Sequence, residues 1–240
     1  MRFRVGTSGW HYEHWRGNFY PQELHPSEWL RYYVERFDTV ELNNSFYRQP
    51  TAKAWREWRE AAPEGFVFAV KASRFITHIK RLKEPEDPVR RAVEGATQLK
   101  EHLGPLLYQL PPNFDASDEN RDRLLEFMRT LPKSYRHAIE FRHEEWFTGA
   151  TFEALETAGV ALCAFDMPGL KCPLRATAPF AYMRFHGSGS RYGGNYPDES
   201  LREWAGRLHE LGHGRDVFVY FNNDIGGHAP RNAETLRGLL

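Results

Sequence analysis

The sequence contains little cysteine: Cys163 and Cys172 are its only two. They form no C-x-x-C spacing, so neither a disulfide scaffold nor a zinc ribbon is expected. No apolar run approaches the roughly 20 residues that span a bilayer. Residues 1–7 have a strand pattern and contain neither the apolar segment nor the small-residue cleavage site of a signal peptide. We therefore expect a cytoplasmic protein that makes no contact with a membrane.

The chain also lacks an excess of charge of either sign. Lysine plus arginine total 32, aspartate plus glutamate total 32, and the formal net charge is +0. This balance creates no overall field to attract nucleic acid or an anionic membrane, although a local basic patch stays open. Aromatic residues are abundant at 15%, and many stand beside turn residues. Those near turns include Trp10, Tyr12, Trp15, Phe46, Tyr47, Trp146, Tyr192 and Tyr196.

Short apolar runs bounded by turn residues recur along the whole chain. They are rich in β-branched or aromatic residues, which predicts eight buried strands. Helical patterns separate most of them, and this alternation indicates a parallel sheet. The predicted strands are residues 3–7, 39–43, 66–70, 105–110, 137–141, 160–165, 180–185 and 216–221. The predicted helices are residues 26–36, 51–62, 87–102, 118–131, 151–158, 198–211 and 232–240.

The spacing of these elements predicts the fold class. Eight strands in 240 residues give about 30 residues per unit, the usual repeat of a (β/α)8 barrel. Residues 167–178 contain Pro168, Gly169 and Pro173, so the connection between strands 6 and 7 should be irregular. We predict one α/β domain over residues 1–240, a single TIM-type barrel with about seven full helices. An open, doubly wound sheet is the alternative. Residues 73–86 form a charged segment, expected to be a solvated loop or a lid.

Polar side chains follow each predicted strand. In a parallel barrel these ends share one rim, where barrel enzymes place their sites. Residues two apart on a strand share a face, so Glu41 should point with Asn43, Glu140 with Arg142, and Arg184 with His186. A buried ion-pair network that only closes the barrel is the alternative, but charges must pair or serve a ligand, and we favour a ligand site. The candidate residues are Trp10, Glu41, Asn43, Tyr47, Lys71, Gln109, Glu140, Arg142, Asp166, Arg184, His186, Arg191, Asn222 and Asn223.

Seven short strings give the chain a resemblance to a known family. They are GTSGW at 6–10, ELN at 41–43, SFY at 45–47, QLPP at 109–112, EFRH at 140–143, RFHG at 184–187 and YFNN at 220–223. Together they resemble the family catalogued as domain of unknown function 72 (YecE-like), from residue 6 to the C-terminus. The resemblance implies a TIM barrel and no established activity. Asn44 and Ser45 stand where the family usually has Ser and Thr, which should alter local hydrogen bonding without removing Asn43.

An anion site is the first candidate chemistry. Barrels often hold phosphate in the loops after strands 7 and 8, which here are the glycine-rich residues 187–194 and 224–227. Glycine lets backbone N–H groups approach a phosphate closely. Lys71, Arg184 and Arg191 could supply positive charge. Loops that are merely flexible are an equal alternative, and no nucleotide P-loop string is present.

Acid–base and metal chemistry are the other candidates. Glu41, Glu140, Asp166 and His186 are the residue types that move protons or bind a divalent metal. Arg142 should neutralise Glu140 and make it a poor acid. The nearby cations argue against a metal.

Three functions therefore stay open. We favour an enzyme acting on a small anionic substrate, phosphorylated, polyol-like or nucleotide-like, with His186 or Glu41 moving the proton. In it, Asn43, Gln109 and Asn222 orient substrate hydroxyl groups. One alternative is a binding module for a phosphorylated metabolite or single-stranded nucleic acid, which would stack on Trp10, Tyr47 and Trp146. The other is a metal-dependent isomerase or hydrolase; no particular cofactor is predicted.

Overall fold

A computed structural model describes residues 1–190 and 192–240. Its eight strands form one sheet in the order β1-β8-β7-β6-β5-β4-β3-β2, and the hydrogen-bonded neighbours are all parallel. The predicted TIM-type α/β barrel is confirmed, and the predicted strands agree with the observed ones within two residues. The strands are β1 (Phe3–Thr7), β2 (Thr39–Leu42), β3 (Val67–Lys71), β4 (Leu103–Gln109), β5 (His137–Glu140), β6 (Ala161–Asp166), β7 (Phe180–Phe185) and β8 (Asp216–Phe221).

Helices alternate with the strands on the outside of the barrel. The seven predicted helices are present, and several short helical turns were not predicted, among them α2, which follows β2. Local capping sets several ends: Thr51 Oγ1 accepts from the N–H of Ala54 at 3.2 Å, and Gly159 ends α6 at φ 70°. The helices are α1 (Trp29–Val34), α2 (Asn44–Tyr47), α3 (Ala52–Ala61), α4 (Glu86–Ala96), α5 (Asp118–Thr130), α6 (Gly149–Ala158), α7 (Asp198–Leu211) and α8 (His228–Leu239).

The connection between β6 and β7 contains no helix, as the sequence predicted. Thr177 ties this irregular segment to the sheet. Its hydroxyl oxygen accepts from the N–H of Leu162 at 2.7 Å and donates to the carbonyl of Val160 at 2.7 Å. These bonds satisfy one backbone N–H and one backbone carbonyl at the start of β6.

The barrel closes between β1 and β2 through a tyrosine side chain. The Tyr33 hydroxyl accepts from the N–H of Thr7 at 3.0 Å and donates to the carbonyl of Thr39 at 3.1 Å. Gly6 makes the approach possible, because a Cβ there would lie 2.2 Å from the carbonyl oxygen of Thr39. One direct bridge, Ser8 to Glu41, completes the closure above this point.

The barrel interior changes character from one end to the other. An apolar cluster fills its lower part, with Ala69, Leu107, Ala138, Cys163, Tyr182 and Phe218 among its members. The charged residues lie above it, towards the C-terminal ends of the strands. The single sheet from Phe3 to Phe221 agrees with one domain, which stays a prediction for residues 1–240. In the described part of the chain, no helix combines the length and apolarity needed to cross a membrane.

Residues 73–85 pack across the rim of the barrel and are not a solvated excursion. A π-helical turn, Phe75–Ile79, opens the segment, and Ile76 and Leu82 are buried. Arg81 attaches the segment to the loop after β4. It donates to the side-chain Oδ1 of Asn113 at 3.1 Å and to the backbone carbonyl of Asn113 at 2.9 Å. The segment therefore brings side chains of its own to the C-terminal mouth.

Candidate functional site

A buried ion-pair network lies across the upper barrel, with Arg184 of β7 at its centre. Its Nη2 donates to Glu41 Oε1 at 2.7 Å, and its Nη1 donates to Glu140 Oε2 at 2.8 Å. All three side chains are shielded from solvent. Arg184 thus links β2 to β5 through the interior, and both of its terminal nitrogens are hydrogen-bonded to carboxylates.

The two carboxylates are saturated by their neighbours. Glu41 also accepts from Ser8 Oγ at 2.7 Å and from the Tyr182 hydroxyl at 2.7 Å. Glu140 accepts from Arg142 Nε as well as from Arg184. Burial alone would raise the pKa of Glu140, but these two arginines hold that pKa well below its ordinary value. Glu140 is therefore held as a carboxylate and is poorly suited to act as an acid.

His186 is buried and neutral. Its Nε2 lies 2.9 Å from Arg142 Nη2 and 3.4 Å from Glu140 Oε1; because arginine only donates and its contact is the shorter, we assign Nε2 as the acceptor. Nδ1 then carries the hydrogen, which requires the Asn222 amide, 3.1 Å away, to turn its oxygen towards the ring. Burial lowers the pKa of His186 to about 3, so the ring stays uncharged near neutral pH. Its visible role is to orient Arg142.

A cavity of about 190 Å³ opens above this network at the C-terminal mouth. It is lined by side chains from the ends of β2, β3, β4 and β5, from the segment across the rim and from the loop after β7. Among the described residues, the charged groups of its lining are the cations Lys71 and Arg142. The lining consists of Phe46, Tyr47, Lys71, His78, Gln109, Pro112, Arg142 and Tyr192.

Lys71 ends β3 on the inner face and is the titratable group best placed in this cavity. Burial and the cation Arg184 lower the pKa of Lys71 to about 7, against the opposing pull of Glu41 and Glu140. Both carboxylates are already bonded to arginines, and no described side chain forms a hydrogen bond or ion pair with Nζ. The ammonium lies 4.1 Å from the ring centre of Phe46, which favours the charged form modestly.

Arg142 can still donate into the cavity. Its Nε bonds Glu140, its Nη2 bonds His186, and its Nη1 contacts Met167 Sδ at 2.8 Å. A guanidinium has five N–H donors, so two N–H groups of Arg142 are not bonded to a described side chain. Gln109 lines the same cavity and adds a neutral amide.

The structure brings most of the predicted site residues together, in two layers. Tyr47, Lys71, Gln109 and Arg142 line the cavity, while the network beneath it contains Glu41, Glu140, Arg184, His186 and Asn222. The expectation that Arg184 reaches a ligand directly is wrong in geometry, because it is buried beneath the cavity and paired on both sides. Arg191 lies outside the described residues.

Asp166 and Asn223 face away from the barrel interior. Asp166 accepts from the Tyr196 hydroxyl at 2.8 Å, and Asn223 donates to Asn232 Oδ1 of α8 at 2.8 Å. Phe165, one residue earlier, faces inward against His186, and successive strand residues point to opposite faces. The prediction that Asp166 and Asn223 join the pocket is therefore wrong in position.

The predicted stacking platform is not assembled at the mouth. Trp146 is buried between Phe114 and Phe141 and donates to the Phe114 carbonyl at 2.7 Å. Trp10 packs against Trp58 and borders, with Asn43, a separate cavity of about 60 Å³. Tyr47 is the exposed member of the three, with 73% of its surface accessible.

The glycine-rich loop after β7 folds back on itself. A Cβ on Gly187 would lie 2.1 Å from the carbonyl oxygen of Ser190. The N–H of Gly193 donates to Ser190 at 3.1 Å, and that of Ile225 donates to Tyr192 at 2.9 Å. The N–H groups of Gly193 and Ile225 are therefore bonded within these loops and do not point at free space.

Sequence reasoning missed His78, and it assigned no site role to Phe46 or Tyr192. His78 comes from the π-helical turn in the segment across the rim, and a lone histidine there carries no sequence signal for a pocket. Burial and the nearby Lys71 lower the pKa of His78 to about 4. Within residues 1–190 and 192–240, no three His, Cys, Asp or Glu side chains are grouped as metal ligands would be.

Comparison with known proteins supports the resemblance seen in the sequence. The chain is 29% identical to the UPF0759 protein YunF of Bacillus subtilis over 98% of its own length and 94% of that protein. It is 28% identical to the UPF0759 protein YecE of Escherichia coli K12, over 53% of this chain and 48% of that protein.

Solved structures agree. A DUF72 family protein from Thermotoga maritima superposes with a TM-score of 0.92 at 31% identity, covering 100% of this chain and 99% of the other. One from Enterococcus faecalis, at 22% identity, shares the fold with a TM-score of 0.86 and covers 99% and 95% of the two chains. The family model described as protein of unknown function DUF72 matches residues 4–240. The chain therefore belongs to the DUF72 family.

Proposed function

We propose that the protein is an enzyme whose barrel mouth binds a small anionic substrate, with Lys71 as the group that exchanges a proton with it. The observation that carries the proposal is the charge of the cavity. Lys71 and Arg142 line the cavity, whereas Glu41 and Glu140 form ion pairs with arginines beneath it. An anion entering the mouth therefore meets cations without a competing carboxylate.

The size of the cavity limits the substrate. Its volume of about 190 Å³ equals roughly six water molecules at about 30 Å³ each. A carboxylate or phosphate on a short carbon chain fits this space, while a whole nucleotide would extend past Tyr47 into solvent. Small phosphorylated or carboxylated metabolites are thus favoured over nucleic acid.

Lys71 suits proton exchange better than the residues first considered. Glu41 is buried and fully hydrogen-bonded, and His186 has both ring nitrogens engaged. An ideal catalytic pKa lies near the operating pH, and the lowered pKa of Lys71, about 7, meets that condition. We assign His186 to positioning Arg142.

A thermal-shift titration with inorganic phosphate, lactate and glycerol 3-phosphate tests the binding step. At about 100 times its Kd a ligand stabilises by roughly 2.7 kcal/mol, which raises Tm by about 5–11 °C at this size. Lys71→Gln should reduce that shift. Lys133→Gln is the matched control, because Lys133 is exposed and precedes β5 at the opposite end of the barrel. Equal shifts in both variants, or none with any anion, would refute the proposed site.

The distinction between an enzyme and a non-catalytic binding module rests on turnover. Small anionic carbonyl compounds, whose hydrogens next to the carbonyl are acidic enough to exchange, should be followed by proton NMR in deuterated buffer, where exchange for deuterium at that carbon removes the hydrogen signal. An enzyme should show exchange that Lys71→Gln loses and Lys133→Gln keeps. Binding without any exchange or product would favour the binding module.

A further inference from the structure

We infer that Lys71 is a nucleophile that forms an imine with a small carbonyl compound bearing a carboxylate or phosphate. The inference rests on the proposed function, because the anionic group must first be held at Arg142. It goes further by naming the carbonyl as the reacting group and the Lys71 nitrogen as the atom that bonds it.

The geometry separates an anchor from a nucleophile inside one cavity. Arg142 is fixed from below by Glu140 and His186, so its direction is set before a ligand arrives. Lys71 comes from β3 and has a flexible stem whose tip is not tied by a hydrogen bond to any described side chain. A ligand bound to the arginine by its anionic end therefore presents its next few atoms to the amine.

The size of the cavity selects the ligand class. A carbonyl one or two bonds from the anionic group fits within the roughly six water volumes of the cavity. The 2-oxo acids and the short ketose or aldose phosphates have this arrangement. Gln109 and Tyr192 line the same space and supply neutral polar contacts around the carbonyl.

Lys71 also has the free amine that the step requires. With the pKa of Lys71 lowered to about 7 by burial and Arg184, about half of the side chains are neutral near pH 7. An ordinary lysine with a pKa near 10.4 is neutral in fewer than about one molecule in a thousand at that pH. A desolvated lysine beside other cations is a known way of activating an amine towards carbonyls.

The step balances without any further reagent. The amine lone pair of Lys71 bonds the carbonyl carbon, and the C=O π electrons move to oxygen. The oxygen takes up two protons, leaves as water, and a C=N bond to the nitrogen forms. Overall, one ammonium and one carbonyl compound give one protonated imine and one water. The protonated imine is an electron sink for loss of a proton or a carbon group from the neighbouring atom.

Borohydride trapping tests this step on the whole protein. The protein is incubated near pH 7 with pyruvate, glyoxylate or dihydroxyacetone phosphate, reduced with sodium borohydride, and mapped by peptide mass spectrometry. Lactate is the matched probe, since it keeps the carboxylate and lacks the carbonyl. We expect at least one carbonyl probe to modify Lys71 at least tenfold more than Lys133, and lactate to modify neither.

Two further measurements complete the test. Inorganic phosphate should compete with trapping at Lys71 and leave Lys133 unaffected. Lys71→Arg keeps the positive charge but cannot form the adduct, so it should lose carbonyl-dependent modification and keep the stabilisation by phosphate. If it fails to fold, trapping of the wild type at a series of pH values takes its place, and Lys71 should be modified at lower pH than Lys133.

The outcomes distinguish the two proposals. Stabilisation by lactate or phosphate without preferential trapping at Lys71 would overturn the imine step and leave the anion site standing. Absence of both stabilisation and trapping would overturn the anion site and the imine step together. Equal modification of Lys71 and Lys133 would show an ordinary lysine and also overturn the imine step.

Discussion

Replacement of Arg184 by methionine tests whether the buried network determines the stability of the barrel. The substitution keeps most of the side-chain volume and removes the cation that bonds Glu41 at 2.7 Å and Glu140 at 2.8 Å. Glu140 retains Arg142, but the hydrogen bonds left to Glu41 come only from the neutral hydroxyls of Ser8 and Tyr182, and the remaining cation that acts on it, Lys71, is not bonded to it. One buried carboxylate thus becomes uncompensated.

The cost follows from that single uncompensated charge. Breaking one side of a buried ion pair costs about 3–5 kcal/mol, and at about 2–4 °C per kcal/mol Tm should fall by roughly 6–20 °C. Arg90→Met is the matched control. Arg90 is 55% exposed and pairs with Asp87 and Glu94 on the surface of α4, so its loss should cost less than about 1 kcal/mol.

Denaturant unfolding followed by fluorescence measures both variants. Adding Glu41→Gln to Arg184→Met should recover at least about 1 kcal/mol, since the unpaired charge is gone. The deficit of the single variant should also shrink near pH 5, because a buried carboxylate without its cation is better tolerated when protonated. A cost under about 1 kcal/mol, with no recovery in the double variant, would refute this account of the network.

Three other predictions concern the cavity and the seam, which is the closure between β1 and β2 that the Tyr33 hydroxyl bridges. Gly6→Ala should destabilise by about 1–3 kcal/mol or more in denaturant unfolding, because its Cβ would meet the Thr39 carbonyl, while Gly206→Ala, with open space around it, should not. Tyr33→Phe should cost about 1–3 kcal/mol by thermal unfolding, since two backbone groups at the seam lose their partner. Burial lowers the pKa of Lys71 to about 7, so between about pH 7 and 10 the unfolded chain binds the extra proton and stability should rise with pH. Lys71→Met should lack that rise and be more stable by about 4 kcal/mol near pH 7 in a pH series of unfolding curves.

The sequence predicted the strands and most helices because those signals are local. Apolar runs, caps such as Thr51 and the C-cap Gly159 act within a few residues and depend little on tertiary context. The closure of the barrel could not be predicted in this way. The hydroxyl of Tyr33 on α1 replaces a backbone ladder between β1 and β2, and no local pattern distinguishes it from a core tyrosine.

The errors at the site have a common physical origin. Strands buried on both faces read as continuous apolar runs, so the sequence does not show which alternate residues point inward. The run ending at Phe165 and Asp166 is of this kind, and its last residue proved to face the helices. The sequence analysis placed Glu41, Glu140 and Arg184 at the same rim, and the structure pairs them with one another, because charged groups on buried strands need partners. Whether such a charged side chain also faces a ligand depends on which ion pairs it forms, and the sequence alone does not show those ion pairs.

The two layers of the mouth together give the cavity its charge. The network and the cavity contain three basic side chains, Arg142, Arg184 and Lys71, against the carboxylates Glu41 and Glu140. Because His186 is uncharged, the two layers together have one excess positive charge. This charge is neutralised either when Lys71 loses its proton or when an anion enters the cavity. An anion beside Lys71 would raise the pKa of that amine, and by reciprocity protonation of Lys71 strengthens anion binding. In the proposed enzyme, substrate capture and the charge of Lys71 are therefore coupled, and the protonated imine that we infer would retain the positive charge that holds the anion in place.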